Sequence, residues 1–151
     1  MEVYRNCAGE YGKYIMQELR LPPEQATPEA INAYESLGKK YVYWMDDLNM
    51  PGSNQLITAW YFEPNRDKQL APGGELPCHV HNSGEILCYY GSDPADPYDL
   101  HAEIEFVIGN ESHVITKSSL IFVPAGVPHS KPLVNAIDRP VFHFAMMLGK
   151  D

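Results

Sequence analysis

Short apolar segments separated by proline and glycine are the feature that most limits how this chain can fold. The 151 residues include thirteen prolines and eleven glycines, which is more than a bundle of long helices tolerates. The segments between them are rich in β-branched and aromatic residues, which favour strands. Regular short strands with Gly/Pro turns are typical of a sandwich or barrel. The sequence therefore predicts a mainly β protein.

The predicted strands begin at residue 41, and there are about eight or nine of them. They include residues 41–44, 55–62, 77–81, 85–90, 102–108, 111–116, 120–123 and 141–147. Gly109-Asn110, between two of these strands, is the strongest hairpin signal in the chain, and its Gly-Asn order favours a type II′ turn.

The pattern ahead of the strands is helical. Apolar spacing over residues 9–20 predicts one helix, and Pro22 and Pro23 follow it. Thr27 as N-cap and Pro28 at the first helical position predict a second helix, which a glycine ends.

These patterns divide the chain into a helical N-terminal arm, residues 1–40, and a β-barrel domain, residues 41–151. The arm could close one end of the barrel or reach across to a second subunit, and the sequence does not choose between these roles.

Charge restricts the partners of the chain. The net charge is −9, and no lysine or arginine cluster offsets it, so we exclude nucleic acid and expect no anionic membrane surface as a partner. No apolar run reaches the roughly 18 residues that suggest a membrane span. Residues 1–6 do not resemble a signal peptide, and we expect a cytoplasmic protein. Because the cytoplasm is reducing, we expect Cys7, Cys78 and Cys88 to be free thiols.

A histidine pair followed by a glutamate is the sequence feature that indicates a metal site. His79 and His81 lie on one side of a predicted strand, about 6.5–7 Å apart along it. Two imidazoles at that separation can reach one ion at about 2.0–2.1 Å. Glu85 lies on the same side of the strand as the two histidines if the strand continues, and Gly84 permits a bend if it does not. The carboxylate can reach the same ion in either case.

His129 is the fourth candidate ligand. It ends the segment Pro124-Ala125-Gly126-Val127-Pro128-His129, in which two prolines and a glycine indicate a tight turn. A lone histidine is more often a surface or core residue than a ligand. The spacing of His79, His81 and Glu85, with His129 after its own turn, favours a metal site over that alternative.

These two segments resemble the two motifs of the cupin superfamily. The residues that match are Gly73, His79, His81 and Glu85 in the first motif and Pro124, Gly126 and His129 in the second. The residues that depart are Gly91, which comes one position early, Ser118 in place of the leading glycine of the second motif, and Leu133 in place of its final asparagine, with Asn135 two residues on.

The resemblance covers about residues 40–148 and implies a cupin barrel, a double-stranded β-helix or jelly roll. It implies that His79, His81, Glu85 and His129 bind one divalent metal ion. Such a donor set suits Fe, Mn, Ni, Co or Zn. It also implies a homodimer. It does not specify a reaction, because cupins include dioxygenases, isomerases, decarboxylases, lyases, storage proteins and regulators.

Three further residues are candidates for catalytic roles. His143 lies on a strand expected to be central, where it is either structural or a proton donor beside the metal. Glu103 and Glu105 share one face of a strand whose opposite face carries Ile104 and Phe106. An apolar face usually points to the core, so the carboxylates lie on a solvated face, or act as general bases if they point inward.

Three functional hypotheses follow. The first is a metal-dependent enzyme, with oxygenase chemistry ahead of an isomerase or a lyase, that acts on a small oxygen-bearing substrate such as an aromatic compound or a carboxylate. The second is a metal-binding or small-molecule-sensing protein without turnover. The third is an assembly role in which the aromatic arm, residues 1–38, docks on a partner.

Overall fold

The computed structural model describes residues 7–150, which contain ten strands and two α-helices. The strands are β1 (Lys39–Met45), β2 (Leu56–Tyr61), β3 (Cys78–His79), β4 (Glu85–Gly91), β5 (Asp99–Ile108), β6 (Glu111–Lys117), β7 (Ser119–Val123), β8 (His129–Ser130), β9 (Leu133–Ile137) and β10 (Val141–Met147). The helices are α1 (Pro28–Ser36) and α2 (Arg66–Gln69), and single 3-10 turns occur at Gly12–Tyr14 and Pro23–Gln25.

The strands form two antiparallel sheets. The first has the order β1-β2-β10-β4-β7, and the second has the order β3-β8-β5-β6 with β9 also paired to β5. The core lies between them, because buried side chains of both sheets pack together. They are Tyr61, Tyr89 and Val141 from the first sheet and Leu100, Ile104 and Val134 from the second. The prediction of a mainly β fold is confirmed.

The β5–β6 hairpin turns where the sequence predicts it. Gly109 has a φ of +63°, which a glycine adopts without strain. Asn110 is not among the described residues with positive φ, so the positive angle falls on the first central position, as a type II′ turn requires.

The two helix predictions have different outcomes. The Thr27 hydroxyl accepts a hydrogen bond from the Ala30 backbone N–H at 3.1 Å, so α1 begins as predicted. The helix predicted over residues 9–20 is wrong, because only Gly12–Tyr14 forms a turn. Two glycines weaken this segment, and Tyr11 is exposed, so no apolar face stabilises a short helix by packing. No helix within residues 7–150 has the length and apolar character to cross a bilayer.

The division of the chain at residue 40 into an arm and a barrel domain stays a prediction. Residues 1–6 of the predicted arm and residue 151 of the predicted domain lie outside the described part of the chain. The structure adds two strands, β8 and β9, and the helix α2 to the elements expected from sequence. Strand β8 has two residues, which is too short for a periodic signal.

Ser118, which replaces a motif glycine, secures a loop. Its hydroxyl accepts a hydrogen bond from the Gly91 backbone N–H at 2.9 Å and donates one to the Pro97 carbonyl at 2.7 Å. Gly91 itself has no room for a side chain, because a Cβ there would lie 2.1 Å from the Asp99 carbonyl oxygen. The early glycine and the serine therefore belong to one local arrangement that closes the loop between β4 and β5.

Asn65 ties the second sheet to the end of α1. Its side chain is buried, accepts a hydrogen bond from the Val134 backbone N–H at 2.8 Å and donates one to the Leu37 carbonyl at 3.3 Å. This single amide thus satisfies backbone groups from two distant segments.

We expect Asn65→Ala to lower the free energy of unfolding by about 1–3 kcal/mol, because it leaves the buried Val134 N–H without its side-chain acceptor. Asn54→Ala, at an exposed position, should change it by less than about 0.5 kcal/mol. Urea denaturation measures both. Equal losses in the two variants would contradict this role.

Candidate metal centre

Antiparallel pairing and one bend bring four side chains together. His79 on β3 lies directly opposite His129 on β8, and their ring centroids are 4.3 Å apart. The ring of His81, just beyond β3, lies 4.9 Å from that of His79 and 5.2 Å from that of His129. The chain bends at residues 82–84, and Glu85 is the first residue of β4. Strands from both sheets therefore contribute to one cluster.

The cluster has the dimensions of a single-ion site. Glu85 Oε2 lies 2.8 Å from His129 Nε2 and 3.4 Å from His81 Nε2. One ligand atom from each of His79, His81, Glu85 and His129 lies within 4.8 Å of all the others. Ligands about 2.0–2.1 Å from an ion would be up to about 4.2 Å apart across it. Only small side-chain adjustments separate the observed spacing from coordination.

The hydrogen bond behind His129 indicates which nitrogen faces the cluster. Nδ1 lies 3.0 Å from the Val127 carbonyl, and a carbonyl can only accept, so Nδ1 carries the hydrogen. Nε2 is then turned toward a carboxylate oxygen in a buried place. An imidazole lone pair and a carboxylate oxygen attract each other only across a cation, either a proton or a metal ion.

The donor set fits a divalent transition metal. Three imidazoles and one carboxylate are ligands that Fe(II), Mn(II), Co(II), Ni(II) and Zn(II) accept. Desolvation, with smaller contributions from His129, His81 and Lys131, lowers the pKa of His79 to about 4. The imidazole is therefore neutral at neutral pH, which is the form that binds a metal.

A pocket of about 200 Å³ lies beside the cluster. In addition to the four clustered residues, its lining includes Lys39, Tyr61, Tyr89, Lys131 and His143. Tyr41 also lines it. The pocket therefore combines the candidate ligands with two cationic side chains, three phenols and a fourth imidazole.

His143 is buried in the pocket wall. Its ring stacks on Tyr89 at 4.8 Å, and its Nδ1 donates to the Cys88 carbonyl at 2.9 Å. Burial is the main cause that lowers its pKa to about 3, Lys39 lowers it further, and the bond to Cys88 opposes both. His143 is thus a neutral imidazole whose Nε2 has a lone pair.

Glu103 and Glu105 lie outside this pocket. Glu103 is exposed. Glu105 accepts hydrogen bonds from Arg66 Nη1 at 2.6 Å and from the Ser112 hydroxyl at 2.8 Å, and the bond from Arg66 is the main cause of its lowered pKa. Ile104, between them, is buried in the core. The structure therefore places both carboxylates on the outer face of β5, away from the metal cluster.

The sequence did not indicate that two lysines line the pocket. Lys39 shares its strand face with Tyr41, and Lys131 follows His129 by two positions. Strand parity was the available signal. Strand parity could not identify these lysines, because Lys39 lies at the edge of the predicted arm and β8 is too short to be recognised from sequence.

Similarity to known proteins was found among solved structures. A scan of protein-family models and a search of the curated proteins both returned no match. Among solved structures, the chain is similar to an RmlC-like cupin from Shewanella frigidimarina, with 14% identity, a TM-score of 0.44, and coverage of 76% of this chain and 80% of that chain.

Two enzyme structures are similar at the same level. Hydroxypropylphosphonic acid epoxidase from S. wedmorenis has 14% identity and a TM-score of 0.47, over 74% of this chain and 51% of that one. Oxalate oxidase in complex with the substrate analogue glycolate has 13% identity and a TM-score of 0.48, over 84% and 55%. The chain thus spans about half the length of these two proteins, and neither similarity indicates its substrate.

The two antiparallel sheets, with the residues of both motifs at one centre between them, have the arrangement that the resemblance to the cupin superfamily implied.

We expect Glu85→Ala and His129→Ala to reduce the metal content of purified protein at least about tenfold, because each removes a buried donor of the cluster. His113→Ala, at an exposed position, is the matched control. Elemental analysis measures the metal, and circular dichroism checks the fold. Full metal occupancy in both ligand variants would refute the assignment.

The lowered pKa of His143 makes stability depend on pH. The unfolded chain takes up a proton near pH 6.5, whereas folded His143 does so at about 3. The contribution of neutral His143 to the free energy of unfolding is therefore complete above pH 6.5. As the pH falls from 6.5 toward 3, that free energy decreases by about 1.4 kcal/mol per pH unit.

Urea denaturation of metal-free protein between pH 7 and about pH 4.5 should therefore show a shallower decline for His143→Asn than for the parent protein. His113→Asn should keep the parent slope. Identical slopes for His143→Asn and the parent would show that residue 143 is not held neutral.

Proposed function

We propose that this chain is a divalent-metal-dependent enzyme with oxygenase chemistry, acting on a small oxygen-bearing substrate. One observation carries the proposal: ligand atoms of three histidines and a glutamate lie within 4.8 Å of one another, and these residues line a pocket. Fe(II) is the ion we favour, because nitrogen and carboxylate donors with room for further ligands suit it.

The metal would supply Lewis acidity and, if it is iron, reactivity toward O₂. The chain would supply the rest. His79, His81, Glu85 and His129 hold the ion, and the apolar side chains of Ile57, Leu87 and Ala145 in the pocket lining limit the access of water.

His143 can accept a hydrogen bond from a substrate in this pocket. Because its Nδ1 donates to the Cys88 carbonyl, the Nε2 lone pair remains as the basic position. Stacking against the buried Tyr89 fixes the plane of the ring. A neutral imidazole that is held in one plane is suited to accept a hydrogen bond from a bound substrate.

The volume of the pocket limits the substrate. A volume of about 200 Å³ is below the range of roughly 300–1,000 Å³ that is usual for drug-sized ligands. The substrate is therefore expected to be a compact molecule.

The test is consumption of O₂. Protein purified without added metal is reconstituted with Fe(II), Mn(II), Co(II), Ni(II) or Zn(II) and offered a panel of small hydroxy acids, keto acids and phenols. We expect uptake with Fe(II) and at least one compound, and a loss of about 100-fold or more in Glu85→Ala, with His113→Ala unaffected. Binding of a compound without product under every metal would instead support a non-catalytic binding or sensing protein.

We also propose, as the resemblance implied, that the chain forms a homodimer. Leu120 and Phe122 on β7, an edge strand of the first sheet, are exposed. An apolar edge strand of this kind is suited to pairing with another chain.

A further inference from the structure

The charge of the pocket contrasts with that of the whole chain. The net charge is −9, yet two lysines, Lys39 and Lys131, line the pocket. Among the described residues of the lining, Glu85 is the only acidic one, and it belongs to the metal cluster. Apart from Glu85, the charged side chains described in the lining are therefore positive.

Lys39 has no anionic partner within the described chain. It lies opposite Tyr61 in the register of β1 and β2. Its Nζ is 3.4 Å from the Tyr41 hydroxyl, 4.5 Å from the Tyr41 ring centroid and 5.8 Å from that of Tyr61. Aromatic faces attract a cation, but they leave most of its three donors unused.

Desolvation and the positive charge of Lys131 lower the pKa of Lys39 to about 8. Lys39 is therefore still mainly protonated at neutral pH. Lys131 is exposed and lines the same pocket as Lys39. An anion that enters this pocket would therefore be attracted by two positive charges.

Tyr89 supplies an independent observation. It is fully buried in the pocket wall, and its hydroxyl makes no hydrogen bond with any described residue. Buried hydroxyls nearly always have a partner. An unmatched one in a pocket is therefore a donor suited to a bound molecule.

We infer that the pocket selects a small carboxylate, with Lys39 and Lys131 facing its negative charge and the Tyr89 hydroxyl as an additional donor. This inference rests on the proposed function and names its substrate class. A carboxylate fits better than a phosphate, because the lining formed by residues 7–150 contains lysines but no arginine fork.

Isothermal titration calorimetry of the protein with its measured metal content tests the inference. The probes are lactate, benzoate and malonate, each paired with its neutral amide. At least one acid should bind at least about tenfold more tightly than its amide. Lys39→Gln and Lys131→Gln should each remove most of this preference without changing the metal content.

Three variants serve as controls. Lys39→Arg keeps the charge and should keep the preference for the acid. Lys40→Gln, at an exposed position on the same strand, should bind like the parent protein. Tyr89→Phe should bind the acid several-fold more weakly without a lower melting temperature, since the hydroxyl has no partner to lose.

Equal binding of acids and amides, unchanged affinity in both glutamine variants, or no binding of any acid would overturn the inference. So would tighter binding of inorganic phosphate than of every acid. Elemental analysis and titration of EDTA-treated protein separate the two proposals. Lysine-dependent acid binding in a protein that takes up no metal would remove the enzymatic proposal and leave the carboxylate site.

Discussion

The approach of the Glu85 carboxylate to the His129 imidazole, 2.8 Å apart in a buried place, is the contact on which the centre depends. Val127 fixes the hydrogen of His129 on the far side of the ring, so the near side needs a cation. Pairing of β3 with β8 then sets His79 directly opposite His129. A pair of two-residue strands thus determines where the ion can bind.

Charged side chains on the outer face of the second sheet are separated from those in the pocket around that contact. On the outer face of β5, Arg66 holds Glu105, while the inner face of the same strand packs into the core. The pocket consequently keeps Glu85 as its acidic residue and admits two lysines. His143, neutral beside them, adds a hydrogen-bond acceptor without adding charge. This separation follows from strand alternation, because a strand with one buried face must place its carboxylates on the other.

The departures from the cupin pattern have local explanations. Ser118 uses its hydroxyl to bind both Gly91 and Pro97, so the loop between β4 and β5 is held by a side chain. Leu133, where the pattern has asparagine, is buried in the core. Neither position is among the four clustered residues, so the candidate ligands are retained.

The sequence alone determined the strand-rich fold and the identity of the four clustered residues, because alternation and turn chemistry are local properties. It failed for the helix over residues 9–20, where stability requires packing that the chain does not provide. Only the tertiary structure decided that Lys39 and Lys131 share a pocket with His143 and that Glu105 does not. Periodicity tells which side chains share a face of a strand, whereas long-range pairing decides what that face meets.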